Sequence, residues 1–300
     1  MVEIKKSHAQ AIVLEPVNTI GKSMSSLFAI LSALSFGCAD FTGGLASRRS
    51  PAMAVVLRSQ GAGMLLALLL APLFSPPTMG LSSWLWGGSA GLIGAVGIGL
   101  LYHGLAQGLA AIVSPTAALM GTLLPVIFGY AMGEKPGTMG TIGILFAILA
   151  VILLTWERGG KSKKTLSSFL MGAIAGLCFG GFFILLSQTE GSSGLWPLVA
   201  ARSASLPFLF LAIRFLGKSP AIHPKDRIPA WGSGILDMAA NVFYLLSFRS
   251  GMLLTAVVIT SMYPAPTVLL QNRILKEPLS FSKIVGLLFA ITGIALISVG

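Results

Sequence analysis

The sequence predicts an all-α integral membrane protein of ten transmembrane helices, arranged as two inverted five-helix repeats around a central cavity. Three observations carry this expectation: a composition too apolar for a water-facing surface, ten apolar runs of spanning length, and a set of landmarks recurring at nearly one offset. Apolar residues make up 55% of the 300 and charged residues only 10%, whereas an ordinary soluble domain carries roughly a quarter charged. With a mean hydropathy of +0.88, the outer surface must face lipid. The 36 glycines agree, because glycine is common in membrane helices and lets backbones approach closely.

A spanning helix needs about 20 mainly apolar residues to cross a hydrocarbon core roughly 30 Å thick. The runs 25–45, 52–74, 84–104, 110–132, 138–156, 167–188, 195–216, 229–248, 252–274 and 281–299 meet that length within a few residues. Arg48, Arg49 and Pro51 end the first, Pro76 and Pro77 fill the second gap, and Gly133-Glu134-Lys135-Pro136 separates the fourth from the fifth. The weakest boundary is Ala106–Leu109, between spans three and four. Residues 1–24 are mixed polar and lack the apolar core and cleavage site of a signal peptide. They are expected to be a disordered or surface tail. The polar stretch 157–166 is the natural linker between a first repeat, 25–156, and a second, 167–300.

The repeat rests on five landmarks. Phe36-Gly37 recurs as Phe179-Gly180, Arg58 as Arg202, Trp86-Gly87 as Trp231-Gly232, Gly108 as Gly251, and Glu134 before Pro136 as Glu277 before Pro278. Self-similarity at a fixed period is the mark of a duplicated unit. Each unit holds an odd number of helices, and every crossing reverses direction, so the second copy lies upside down relative to the first. Inverted repeats of this kind give many secondary transporters their two exchangeable states.

Composition also excludes function classes. The net charge of +11 comes from Lys and Arg scattered between apolar runs. They act as topology signals and headgroup anchors rather than a nucleic-acid surface. Cys38 and Cys178 lie inside apolar runs and are too few for a disulfide framework or a metal site. No Gly-x-x-x-x-Gly-Lys-Ser/Thr phosphate loop occurs, which disfavours direct ATP drive. His8, His103 and His223 stand outside the span centres and form no catalytic cluster. Neither a cofactor nor a metal is expected, and no enzymatic activity.

Two stretches have a shared form: Ser114–Ile152, with Gly133-Glu134-Lys135-Pro136, and Ala256–Ser298, with Tyr263-Pro264, Lys276-Glu277-Pro278 and Gly286…Gly293. In each, a helix rich in small residues ends at a Glu turn and a glycine-punctuated helix follows. Together with the Phe-Gly pairs and the single arginines of spans two and seven, this resembles the EamA-type half of the drug/metabolite transporter superfamily, over residues 25–299. The resemblance implies a multi-pass protein of the cell membrane that moves a small-molecule substrate. Two departures stand out. Gly121 occupies the place of Pro264 in the first half, with Pro125 nearer the turn, and Phe replaces the usual Trp before Gly in spans one and six.

An ionisable residue inside a span usually faces a cavity or a partner, because facing lipid costs several kcal/mol. Asp40 and Asp237 are such residues. Asn241 and Tyr244 follow Asp237 at i+4 and i+7 and share its helix face. Candidate cavity residues are thus Phe36, Asp40, Tyr102, Phe179, Asp237, Asn241, Tyr244 and Tyr263. For Asp237 a hydrogen-bonding role between helices stands beside the functional one; for Asp40, pairing with Arg48 does. Arg58 and Arg202 occupy matched places and read as architectural or cavity charges. Glu134 and Glu277 sit in turns at helix starts, where a carboxylate offsets the helix dipole. Pro115, Pro125, Pro197, Pro207, Pro264 and Pro266 can each kink or break a helix and leave carbonyls free to line a cavity.

Orientation is in conflict. The resemblance implies both ends in the cytoplasm. Lys and Arg on that side would be Lys5, Lys6, Lys22, Lys135 and Arg249, against a far larger group opposite, from Arg48 and Arg49 to Lys276 and Lys283, and the positive-inside rule favours the reverse. The expected function is secondary transport, outward, of a small organic metabolite by alternating access, with Asp40 or Asp237 as candidate proton-coupling groups. The alternatives are an intramembrane enzyme and a non-transporting membrane subunit. Expected partners are the substrate and the lipid bilayer, with no nucleic acid, in a monomer or homodimer.

Overall fold

In hydrocarbon no water satisfies a free N–H or C=O, so an apolar run must close its own backbone ladder as a helix. The computed structural model, which describes residues 2–74, 79–106, 110–155, 165–276 and 280–299, has helices and no strands among those residues. They are α1 (Val2–Ser47), α2 (Ala52–Phe74), α3 (Leu81–Ala106), α4 (Ala110–Ala131), α5 (Thr138–Thr155), α6 (Thr165–Ser187), α7 (Trp196–Phe215), α8 (Arg227–Ser250), α9 (Leu253–Thr260), α10 (Pro264–Leu275) and α11 (Phe281–Val299).

Among the described residues, seven segments are long and apolar enough to cross a membrane: Ser23–Ser47, Ala52–Phe74, Leu81–Gly104, Phe169–Ser187, Trp196–Phe215, Leu253–Leu275 and Phe281–Val299. Thr116–Ala131 and Thr138–Leu153 are shorter apolar helices. α8 has the length, 24 residues, and carries more polar side chains. The chain is therefore a multi-pass integral membrane protein.

Two features differ from the sequence expectation. The polar residues ahead of Ser23, expected to be disordered or a surface tail, continue α1 as helix from Val2. The ninth apolar run is not one helix but two. α9 ends at Thr260, Ser261–Tyr263 form a turn, and α10 starts on Pro264. Pro264 has no N–H to give a preceding carbonyl, so a rung of the ladder is missing there, and its fixed φ suits the first position of a new helix. The amides of Met262 and Tyr263 accordingly turn back to Ile259 and Thr260, at 3.1 Å each. The linker around 157–164 and Glu277 lie outside the described residues.

Helix packing repeats the duplication. With α1 matched to α6, α2 to α7, α3 to α8, α4 to α9–α10 and α5 to α11, every extensive interface has a partner. α1 packs on α8 as α6 packs on α3; α4 packs on α6 as α9 and α10 pack on α1; α3 packs on α7 as α8 packs on α2. The pairs α5–α11 and α2–α7 map onto themselves. A relation that exchanges two halves in this way is a two-fold axis, and its axis runs between α2 and α7 and between α5 and α11.

Matched glycines make the closest approaches. A Cβ on Gly91 would lie 2.0 Å from the Ala201 carbonyl oxygen, and one on Gly234, 143 positions on, 2.0 Å from that of Ser59. Only a residue without a side chain permits these crossings. The helix turns are matched too. Gly133 (φ 86°) closes α4, its amide and that of Glu134 returning to Tyr130 and Gly129 at 3.0 Å each, which is the Schellman pattern. At the corresponding place after α10 stands Lys276, also left-handed at φ 56°.

A cavity on the two-fold axis

Where the halves meet, a cavity encloses about 740 Å³, its open mouth included. Its wall keeps the repeat. Phe36 and Phe179, Asp40 and Phe183, Gly94 and Asp237, Ile98 and Asn241, and Ala118 and Ser261 all line it, and each pair is 143 residues apart. The cavity therefore sits on the axis and draws equally on both halves. The chemistry does not repeat: the positions are matched, but most of the polar side chains stand in the second half.

Asp237, on α8, accepts from the Arg202 guanidinium of α7 at 2.5 Å. The Asn241 side-chain amide donates to the same carboxylate oxygen at 3.3 Å and to the Asp237 carbonyl at 2.8 Å, as expected of residues one turn apart on one face. Beside them the Ser205 hydroxyl donates to Gln60 Oε1 at 3.0 Å. Arg202 is buried against Gly63, whose missing side chain leaves room for the guanidinium Nε 3.2 Å from where a Cβ would stand. A buried ion pair of this kind is costly to break, because either partner alone is an uncompensated charge.

Asp40 is different. It reaches the same cavity from α1, half-buried, and among the described residues it has neither a hydrogen bond nor an ion pair. Around it the wall is aromatic. Phe36 meets Phe183 edge-on at 6.2 Å and Tyr263 at 6.4 Å, geometries aromatic pairs favour.

Six of the eight candidate cavity residues, Phe36, Asp40, Phe179, Asp237, Asn241 and Tyr263, come together here, with Arg202. Tyr102 and Tyr244 do not line the cavity. Both are fully buried in helix packing. Tyr244 donates to the Phe183 carbonyl at 3.0 Å, and Tyr102 sits where Gly43 leaves space beside Ser233. Tyr244 shares the face of Asp237 and Asn241 but uses its hydroxyl on the backbone, and Tyr102 turns away although its neighbour Leu101 lines the cavity. Arg58 points away and donates to the Pro220 carbonyl at 3.4 Å. Gln60, Phe183 and Ser261 line the cavity without having been singled out in the sequence. The first two of these stand out only once the repeat register is laid over the wall: Gln60 lies two residues after Arg58, and Phe183 is the counterpart of Asp40.

Glu134 performs a task its sequence position hides. From the turn after α4 it crosses to the other half and accepts from the backbone amides of Leu253 and Leu254, both at 2.8 Å. It thus caps α9, not the helix that follows it. Beyond this cap α9 is closed off, with Leu253, Leu254 and Ala256–Thr260 buried. At the opposite end of the molecule the Ser50 hydroxyl, in the α1–α2 turn, donates to the buried Asp226 at 2.7 Å, a second tie between the halves.

Both halves match the model of the EamA-like transporter family, over residues 23–156 and 166–299. One solved crystal structure superposes with a TM-score of 0.69 at 15% identity, covering 91% of this chain and 95% of that one, which shows a shared fold. No curated protein matches the chain.

Proposed function

Since the chain belongs to the EamA-like transporter family, whose members are membrane transporters of the drug/metabolite type and not enzymes, we propose that it exports a small organic metabolite by alternating access, crossing the bilayer ten times. The ten passes are the seven long apolar segments, the two shorter ones and α8. One observation carries the mechanism: the cavity lies on the two-fold axis and is lined by matched positions of both halves. Two halves of one design then exchange conformations, and whichever adopts the α9-like form closes its own end. The closed end here is that of α9, held by Glu134. Opening it requires release of that cap.

Asp40 and Asp237 supply proton coupling, since a carboxylate facing a cavity can trade a proton for a solute as the cavity changes sides. The protein acts on a small molecule, without nucleic acid, as a monomer or homodimer in the cell membrane. Flux measured in liposomes tests the proposal. Solute efflux driven by an imposed proton gradient is expected in the wild type and lost in an Asp40→Ala/Asp237→Ala double mutant. Normal flux in the double mutant would remove the coupling, and no flux of any metabolite from a broad mixture would remove the transport assignment.

A further inference from the structure

The two carboxylates of the cavity are not equivalent, and the difference specifies a ligand. Asp237 is already neutralised by Arg202 and held by Asn241. One terminal nitrogen of the guanidinium binds Asp237, and Nε, a buried donor without a hydrogen-bond partner among the described residues, lies against Gly63. An anionic solute would compete with Asp237 for this cation. Asp40 has no such partner, so ionised Asp40, Asp237 and Arg202 leave the cavity with one net negative charge. A second unmet acceptor belongs to the cavity wall. Asn241 is buried and uses its amide nitrogen, while its Oδ1 has no hydrogen-bond partner among the described residues. Both acceptors ask for donors. The surrounding wall, with Phe36, Phe179, Phe183 and Tyr263, offers ring faces, which attract cations as well as apolar groups.

The geometry points to an amphipathic organic cation, a protonated amine on an apolar or aromatic body, as the cavity's ligand, with Asp40 as its counter-ion and the Arg202–Asp237 pair as a positioning element. This rests on the cavity being the transport site. A carboxylate half-buried in an apolar wall without a partner is partly desolvated at a cost, and a bound ammonium relieves that cost with a charge-assisted hydrogen bond. A solute of equal shape but no positive charge brings the apolar contacts alone.

The test uses the purified full chain and four probes of similar shape: phenethylamine, phenethyl alcohol, hydrocinnamate and phenylalanine, with binding measured by equilibrium dialysis near neutral pH. The amine is expected to bind about tenfold tighter than the alcohol, a ratio worth about 1.4 kcal/mol, and hydrocinnamate is expected to bind weakest. Asp40→Asn is expected to cut amine affinity about tenfold and alcohol affinity by far less, and Asp40→Glu to keep most of the amine preference. The wild-type series decides by itself if Asp40→Asn does not fold. Tightest binding of hydrocinnamate or the zwitterion would overturn the inference, as would an amine preference that survives Asp40→Asn. Liposome flux separates the two proposals. Amine binding without flux of any solute contradicts transport and leaves the ligand assignment standing. Flux of another solute with no amine preference contradicts the ligand assignment and leaves transport standing.

Discussion

The fourth and ninth apolar runs hold matched places in the two halves, yet α4 is one helix and α9–α10 are two. The same asymmetry appears in the cavity. Where α8 carries Asp237 and Asn241, α3 carries Gly94 and Ile98; where α7 presents Arg202 to the cavity, α2 turns Arg58 out toward Pro220. Backbone positions are duplicated and the chemistry is not. The lesson is a division of labour: matched glycines and turns provide a scaffold able to exist in two equivalent arrangements, while unmatched side chains decide what the cavity binds.

That contrast can be broken at several places. The largest effect is expected at the charged pair. Asp237→Ala strands a buried guanidinium and should cost about 3 kcal/mol, read as unfolding in mixed micelles. Arg58→Gln, at the matched arginine outside the cavity, should cost under about 1 kcal/mol, in line with a surface-type contact. Equal losses at both would mean that the halves share their chemistry after all.

Next come the glycines of the scaffold. Gly91→Ala and Gly234→Ala each push a methyl group onto a facing backbone carbonyl, and overpacking of this kind costs about 1–3 kcal/mol. The two losses should agree, because the crossings are the same. Gly37→Ala, whose Cβ would meet Pro266 Cγ at 2.3 Å, should cost more than Gly180→Ala, where Leu124 and Pro125 stand at 3.0 Å. The difference reports how much more tightly the broken helix is seated than the unbroken one.

A smaller effect is expected from the cap. Glu134→Ala leaves the first two amides of α9 without acceptors and should weaken its end by about 1–2 kcal/mol. It is read as faster labelling of an Ala256→Cys thiol by a water-soluble maleimide. Unchanged labelling would mean that the cap does not hold the closed end.

The smallest expected change is a gain. Lys276 adopts the left-handed conformation that Gly133 adopts in the first half, at a cost of about 1 kcal/mol for a residue with a side chain. Lys276→Gly should recover most of it, and Gly133→Ala should lose a similar amount.

How much of this was legible in the sequence follows the same division. Helix positions were readable because hydrocarbon thickness fixes span length, and α2 and α11 coincide with their apolar runs. The repeat was readable because Gly, Trp and Phe-Gly landmarks are rare enough to set a register. Asp237, Asn241 and Asp40 stood out as polar residues in apolar surroundings. The break at Ser261–Tyr263 was readable only as one of six candidate prolines, since Pro125 in α4 is also a proline inside an apolar run and its helix continues. Nor was the partner of Glu134, which lies 119 residues away in the other half. Local rules assign a carboxylate in a turn to the nearest helix start, and only the assembled halves bring α9 closer. Tyr244 shows the limit of helix-face reasoning: periodicity gives direction around an axis but not depth along the membrane.

The central claim is that the two halves exchange roles around one cavity. Thiol accessibility at matched positions tests it most directly. Val113 in α4 and Ala256 in α9 are 143 residues apart and both buried. Each is replaced by Cys, one at a time, in a protein with Cys38 and Cys178 changed to Ala, and labelled from either face of proteoliposomes with and without a transported solute. Labelling of the two sites should be anticorrelated, each reacting from opposite faces, with conditions that expose one protecting the other. Labelling that rises and falls together, or that reaches both sites from one face, would contradict the exchange.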